Sequence, residues 1–309
     1  MKTKPYEQPL AMGGNAHVHR WLPDGEIRAV VQIVHGMAEH GGRYARLAEA
    51  LTDAGYAVYA QDLPGHGRSV RSRVHLGHVA NQNGWRISLS AINSVREAIR
   101  TDLHDPAIYM FGHSMGSFLL QHDIVEHGHK IVGAIFSATS GDLGRMRGIG
   151  LNLLRAEALW YGLRHRSALA ERLTFTEFNR QFRPNRTDFD WLSRDESEVD
   201  RYIADTLCGF RCSCALWMDL LRACGELGDA DRLACIPRHL PVLIINGSTD
   251  PATRGAQGPR ALEAHYRNAK LEDVTLRLYE GARHELLNET CRDDVTRDLL
   301  QWLEQRSGV

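Results

Sequence analysis

The 309-residue chain predicts an α/β protein: a mostly parallel central sheet flanked by helices, with a helical segment inserted late in the sheet. Three observations carry this reading. Short apolar runs at residues 31–34, 56–60, 107–111, 131–137, 239–246 and 274–279 alternate with stretches of helical spacing. The runs are near-continuously apolar, as strands buried on both faces must be. The alternation breaks from about Gly141 to Pro237 and then resumes.

Taken in order, residues 14–34 read as a hairpin, with His17–Leu22, a Pro23-Asp24-Gly25 turn, and Ile27 to Val34. Tyr44, Leu47, Ala48 and Leu51 recur at helical spacing, and Gly55 suits the end of that helix. Tyr56–Ala60 is a short buried strand that runs into the loop Asp62-Leu63-Pro64-Gly65-His66-Gly67-Arg68-Ser69. A helix is expected over 84–102, a strand over 107–111, a helix from Phe118 to Val125 and a strand over 131–137. The segment 141–237 is rich in Arg and Trp and has helical patterning without a clear strand. Within it, Ser193-x-x-Glu196 resembles a capping box opening a helix through Val199, Tyr202, Ile203 and Leu207. A strand over 239–246, a helix over 258–268, a strand over 274–279 and a helix over 293–306 complete the pattern. The expected organisation is a core made of 1–140 and 238–309, with 141–237 as a helical cap over the carboxyl edge of the sheet.

Composition bounds the function classes. Hydrophobic content of 43% and charged content of 24% are those of an ordinary globular protein. A net charge of −1 gives no electrostatic case for nucleic acid or an anionic membrane. The first seven residues lack the apolar core of a secretory signal. No apolar run approaches the roughly 20 residues that span a bilayer, so a cytoplasmic location is expected. Six cysteines lie at 208, 212, 214, 224, 235 and 291. No second pair follows Cys208-x-x-x-Cys212-x-Cys214 at zinc-ligand spacing, so reduced, buried thiols and no metal are expected. His122, His127 and His129 are expected on a solvated face.

The most informative stretch is Phe111-Gly112-His113-Ser114-Met115-Gly116-Ser117. It holds Gly-x-Ser-x-Gly between an apolar strand and a helix, the context of a nucleophile elbow. The turn strains the serine backbone, so Gly112 and Gly116 must be nearly without side chains. A serine hydroxyl needs a general base, and that base needs an orienting acid. Two later strand ends supply both, in the chain order serine, acid, histidine. Asp250 follows one strand in Gly247-Ser248-Thr249-Asp250-Pro251, and His284 follows the last in Gly281-Ala282-Arg283-His284-Glu285. The tetrahedral intermediate also needs backbone donors. The candidates are the N–H of Met115, after the serine, and that of Met37, in His35-Gly36-Met37-Ala38 after an early strand. His35 is expected to brace this loop.

These segments resemble the monoacylglycerol lipase and lysophospholipase branch of the α/β-hydrolases. The resemblance rests on His35-Gly36-Met37-Ala38-Glu39-His40-Gly41-Gly42-Arg43-Tyr44, Asp62–Ser69, Gly112–Gly116, and Gly247–Asp250 with His284. It covers the chain from about residue 14 to its end and implies the α/β-hydrolase fold. It also implies that Glu39 and Arg43 hold a glycerol head group; the alternative is that they pair and brace the oxyanion loop. The family's third glycerol contact is a histidine three residues after the catalytic one, and this chain departs from it with Leu287.

The expected function is a serine hydrolase for carboxylic esters, with Ser114, His284 and Asp250 as its triad and neither cofactor nor metal. The resemblance implies a single-chain lipid ester as substrate. A carboxylesterase for short soluble esters is the alternative, and a non-catalytic binding protein on the same scaffold is a remote one. The apolar stretch from Ile149 to Leu163, with Trp160 and Tyr161, is expected either to touch lipid surfaces or to pack between cap and core. Arg164, His165 and Arg166 are expected on a solvated face, with phosphate contact as the alternative, and Trp217, Met218 and Leu221 are candidates for the pocket wall.

Overall fold

The computed structural model describes residues 1–141, 144 and 146–307. In chain order its strands are β1 (Lys2–Thr3), β2 (Tyr6–Pro9), β3 (Asn15–Leu22), β4 (Ala29–Val34), β5 (Tyr56–Gln61), β6 (Ile108–His113), β7 (Gly133–Ser137), β8 (Val242–Gly247) and β9 (Val274–Tyr279). The helices are α1 (Ala45–Asp53), α2 (Gly84–Asp102), α3 (Met115–His127), α4 (Met146–Tyr161), α5 (Ala168–Glu171), α6 (Glu177–Arg180), α7 (Glu196–Ala204), α8 (Cys214–Ala223), α9 (Ala230–Leu233), α10 (Gln257–Asn268) and α11 (Arg292–Glu304).

The strands form one sheet in the order β1-β3-β5-β4-β6-β7-β8-β9, with β2 also pairing to β3. From β5 to β9 every pairing is parallel, whereas β1, β2 and β5 meet β3 antiparallel. Strands β4 to β8 are buried along their whole length. Their side chains alternate between two cores. Val30, Val34, Ile108 and Met110 pack with Ile92, Leu119 and Leu262 on one face. Val31, Ile33, Tyr109 and Phe111 pack with Leu47, Leu51, Leu299 and Trp302 on the other.

The expected hairpin over 14–34 does not form. β5 lies between β3 and β4: Trp21 faces Val58 on one side of it, and Val31 faces Val58 on the other. The link from Pro23 to Arg28 steps over β5, and β4, buried on both faces, takes parallel neighbours on each side. The N-terminal hairpin is instead β2 with β3, pairing Tyr6 with Val18 and Pro9 with Asn15.

Helices α4 to α9 lie in the chain between β7 and β8, and the first residues of this insertion fall partly outside the described set. α8 packs on α4 and on α2. The Asp219 carboxylate on α8 accepts the backbone N–H groups of Gly84 and Trp85 at the start of α2. It takes the place of Asn83, whose side chain makes no capping bond there. Because α8 and α9 cover α3, His122 is buried and not solvated. Its Nδ1 lies 3.1 Å from Arg232 and its Nε2 3.1 Å from the Ala223 carbonyl. His127 pairs with Asp123, and His129 is exposed. Ser193 is not the cap of α7: Asp195 accepts the Ser197 N–H there, while Ser193 donates to the Asn288 carbonyl.

Candidate active site

Strand order reverses at β4, and the chain segments leaving β4, β6, β8 and β9 converge at the carboxyl edge of the sheet. The turn between β6 and α3 places Ser114 at φ 52° and ψ −120°, a strained conformation for a residue with a side chain. A Cβ at Gly112 would sit 2.6 Å from the Gly116 carbonyl, and one at Gly116 would sit 2.1 Å from the Val34 carbonyl. The strand–turn–helix contact therefore closes only with glycine at both places.

The structure brings Ser114, His284 and Asp250 together. Nε2 of His284 lies 3.0 Å from Oγ of Ser114, and Nδ1 lies 2.9 Å from Oδ2 of Asp250. The other Asp250 oxygen accepts the Ala252 N–H. Asp250 and His284 are buried, and Ser114 keeps partial access. Burial is the largest influence on His284 and would lower its pKa. The charge and hydrogen bond of Asp250, with Glu285 and Glu39 beyond it, outweigh burial and raise the pKa above its ordinary value. This is a hydroxyl–imidazole–carboxylate chain that can move a proton off Ser114.

Met115 opens α3 directly after Ser114, so its N–H sits at the positive end of that helix. Met37 lies in the loop after β4. Gly36 lets that loop approach the serine: a Cβ there would meet Glu39 at 2.9 Å, and His113 and Ser114 at 3.2 Å. His35 accepts the Leu63 N–H at Nε2, so Nδ1 carries the proton and donates to the Gly36 carbonyl at 2.7 Å. His35 therefore braces the loop from within, and burial lowers its pKa, keeping it neutral.

Glu39 and Arg43 pair, and the pair extends to a residue that sequence reasoning left without a role. Glu39 accepts the Gly36 N–H at 2.6 Å, the Tyr44 hydroxyl at 3.0 Å and Arg43 at 2.9 Å. Arg43 also forks onto Glu285 at 2.6 and 2.7 Å. Burial is the strongest influence on Glu39 and opposes its charge, yet Arg43 and the Gly36 N–H help lower its pKa to about 2. A cavity of about 20 Å³ lies between Glu39, Arg43, Glu285 and Leu287.

Further residues at the site come from the inserted helices or from the elbow. The Trp191 ring lies 4.8 Å from that of His284 and stacks on Phe175. A small enclosed cavity of about 10 Å³ follows, with Phe175, Phe189, Trp191, Tyr202, Phe210 and Trp217 among its walls. Met218 lines a separate groove between α2, α3 and α8, and Leu221 packs beside Gly150 of α4. Arg166 donates to the Val74 and Arg211 carbonyls, and His165 faces Glu157. His113 packs 5.0 Å from His284, and burial, its largest influence, lowers its pKa to about 4. Cys208 lies within reach of His40 and Asp205, but those two hold each other at 2.9 Å and burial raises the thiol pKa.

Fold and site together define an α/β-hydrolase with a serine–histidine–aspartate centre. The chain belongs to the serine aminopeptidase S33 family, which matches residues 25–291. It is 27% identical over 290 residues to a monoglyceride lipase of Mus musculus, covering 93% of this chain and 86% of the relative. It is 29% identical over 288 residues to a monoacylglycerol lipase of Mycolicibacterium smegmatis, covering 92% and 90%. The structure of a Paleococcus ferrophilus monoacylglycerol lipase superposes with a TM-score of 0.68 at 26% identity, covering 94% of this chain and 99% of that one. Among the described residues no helix is long and apolar enough to cross a membrane.

Proposed function

We propose that the protein is a serine hydrolase that cleaves carboxylic esters of single-chain lipids, such as a monoacylglycerol or a lysophospholipid. The observation that carries this is the bonded chain Ser114–His284–Asp250 under a roof of aromatic residues. Ser114 attacks the ester carbonyl while His284 takes its proton. Asp250 holds the imidazole in the required tautomer and stabilises the imidazolium. The Met37 and Met115 N–H groups receive the oxyanion. His284 then protonates the leaving alcohol and activates water to release the acid. The lipid ester is supported by the names of the relatives and by the exposed apolar end of α4. A peptide amine is disfavoured, because the buried carboxylates Glu39 and Glu285 are both neutralised by Arg43.

In this reading residues 141–237 form the cap, and Glu39 and Arg43 act as a brace for the two catalytic loops. The 20 Å³ beside them accommodates about one water and no glycerol head group. The lack of room for a glycerol head group favours, as a second reading, a carboxylesterase for short soluble esters.

The cap also supplies a surface for lipid. Leu159, Trp160 and Tyr161 are 88%, 86% and 70% exposed at the end of α4, and Ile149 and Leu153 continue the apolar face. Such a patch seats transiently on a micelle or bilayer surface and leaves the protein otherwise cytoplasmic.

Kinetics across p-nitrophenyl esters from acetyl to palmitoyl, with monoacylglycerols and lysophospholipids alongside, tests the proposal. Preference for acyl chains of about eight carbons or more supports it, since longer chains bury more apolar area. Preference for acetyl selects the short-ester alternative, and no hydrolysis of any ester overturns both.

A further inference from the structure

We propose that Tyr202 of α7 is a positioning residue for the oxyanion hole, acting through the bond of its hydroxyl to the loop that carries Met37. This rests on the serine ester hydrolase reading above. The loop from Gly36 to Glu39 is gripped from two sides. From the core, His35 Nδ1–H donates to the Gly36 carbonyl. That carbonyl shares one planar peptide with the Met37 N–H, so fixing the oxygen aims the N–H the opposite way. From the cap, the Ala38 carbonyl accepts two bonds, from the Tyr202 hydroxyl at 3.0 Å and from the Gly209 N–H at 3.0 Å. The two grips fall on the peptides either side of Met37 and Ala38.

Ala38 shows why the second grip matters. Its φ is +58°, in the left-handed region that a residue with a Cβ enters only when its surroundings hold it there. Without the cap's bonds the Ala38 peptide is free to relax to negative φ, and that rotation turns the Met37 peptide with it. Tyr202 is suited to the task. It is buried, its ring lies 4.8 Å from the Arg43 guanidinium, and its phenol stays a neutral donor because burial raises its pKa. Arg43 in turn bonds Glu39 and Glu285, so one tyrosine of the cap touches the parts that hold both the oxyanion loop and the histidine loop.

The test is Tyr202→Phe, which keeps the ring over Arg43 and removes only the hydroxyl. kcat on p-nitrophenyl butyrate and p-nitrophenyl decanoate is expected to fall alike by about 10-fold, less than the 10²–10³ for deleting an oxyanion donor outright. KM stays within about twofold. The inhibition constant for a trifluoromethyl ketone, which forms a tetrahedral oxyanion on serine, rises by the same factor. Arg46→Ala is the control, because it breaks a different cap–core contact, to Glu198 on the same helix. It leaves kcat and the inhibition constant unchanged if Tyr202 acts on the hole and lowers both if only cap seating matters. Assays are run well below the unfolding midpoint of each variant. An unchanged kcat in Tyr202→Phe, a fall without the matching loss of inhibitor binding, or an equal fall in Arg46→Ala overturns the proposal alone. A wild-type enzyme that hydrolyses no ester overturns it together with the reading beneath it.

Discussion

Arg43 closes a two-pronged ion pair on Glu285, the residue directly after His284, across 242 positions of sequence. Its remaining bond goes to Glu39, which holds the Gly36 N–H. One guanidinium thus joins the loop carrying the proposed base to the loop carrying a proposed oxyanion donor. Replacing it by leucine leaves two carboxylates buried without a counter-charge. Arg43→Leu is expected to lose about 3–5 kcal/mol in urea denaturation. A loss below about 1 kcal/mol would show that the pair is not structurally important.

The same network has an acid limit. Arg43 and the Gly36 N–H help lower the Glu39 pKa from 4.5 to about 2, against the larger opposing effect of burial. A depressed carboxylate stabilises the fold above its unfolded pKa and stops doing so as pH falls through its folded one. Part of the stability is therefore lost between pH 4.5 and about 2, and Glu39→Gln lacks that component of the slope. Thermal midpoints of the two proteins over this range make the comparison.

Ser114→Ala removes the proposed attacking oxygen and leaves the His284–Asp250 bond in place. Hydrolysis of p-nitrophenyl butyrate is expected to drop by at least about 10³-fold with an unaltered circular dichroism spectrum. Full activity in this variant would exclude Ser114 as the nucleophile.

Asp250→Asn addresses the proposed base, His284. His284 must be neutral to accept a proton, and its pKa stands above the ordinary histidine value because Asp250, Glu285 and Glu39 outweigh burial. The wild-type rate therefore rises with pH through an ionisation above 6.5. The amide removes the strongest opposing charge and leaves burial, so the acidic limb shifts to lower pH while kcat falls by about 10⁴-fold. A limb that stays in place would assign it to another group.

Trp160→Ser with Tyr161→Ser removes the two exposed rings at the end of α4. Binding to phosphatidylcholine vesicles is expected to weaken by about 100-fold or more, since each ring withdraws roughly 1.5–3 kcal/mol of burial when it inserts fully. Hydrolysis of p-nitrophenyl acetate, which needs no lipid surface, stays the same. Vesicle sedimentation and the soluble assay separate the two effects.

Much of this architecture was legible in the chain because it is written locally. A continuous apolar run followed by glycines predicts a buried strand and a sharp turn. The loops after β4, β6, β8 and β9 could be placed at one edge from strand direction alone. Helix α2 over 84–102 and the late helices follow from spacing that any local window contains. The hairpin reading failed for a complementary reason. A six-residue link permits both a hairpin and a step over a neighbour, and only the competition among strands for β5 decides between them. His122 was misplaced because the helix that buries it lies 101 residues away in sequence.

The sequence by itself determined the parallel sheet, the elbow at Ser114 and the chain order of serine, acid and histidine, because each depends on residues within one strand and its turn. Tertiary structure alone decided that Arg43 serves Glu285, that Trp191 lies against His284, and that Tyr202 reaches the Ala38 carbonyl. Those contacts join segments 93 to 242 residues apart in the chain. Their partners are selected by burial, since a charge or donor taken from water must meet whatever complementary group the packed elements bring beside it.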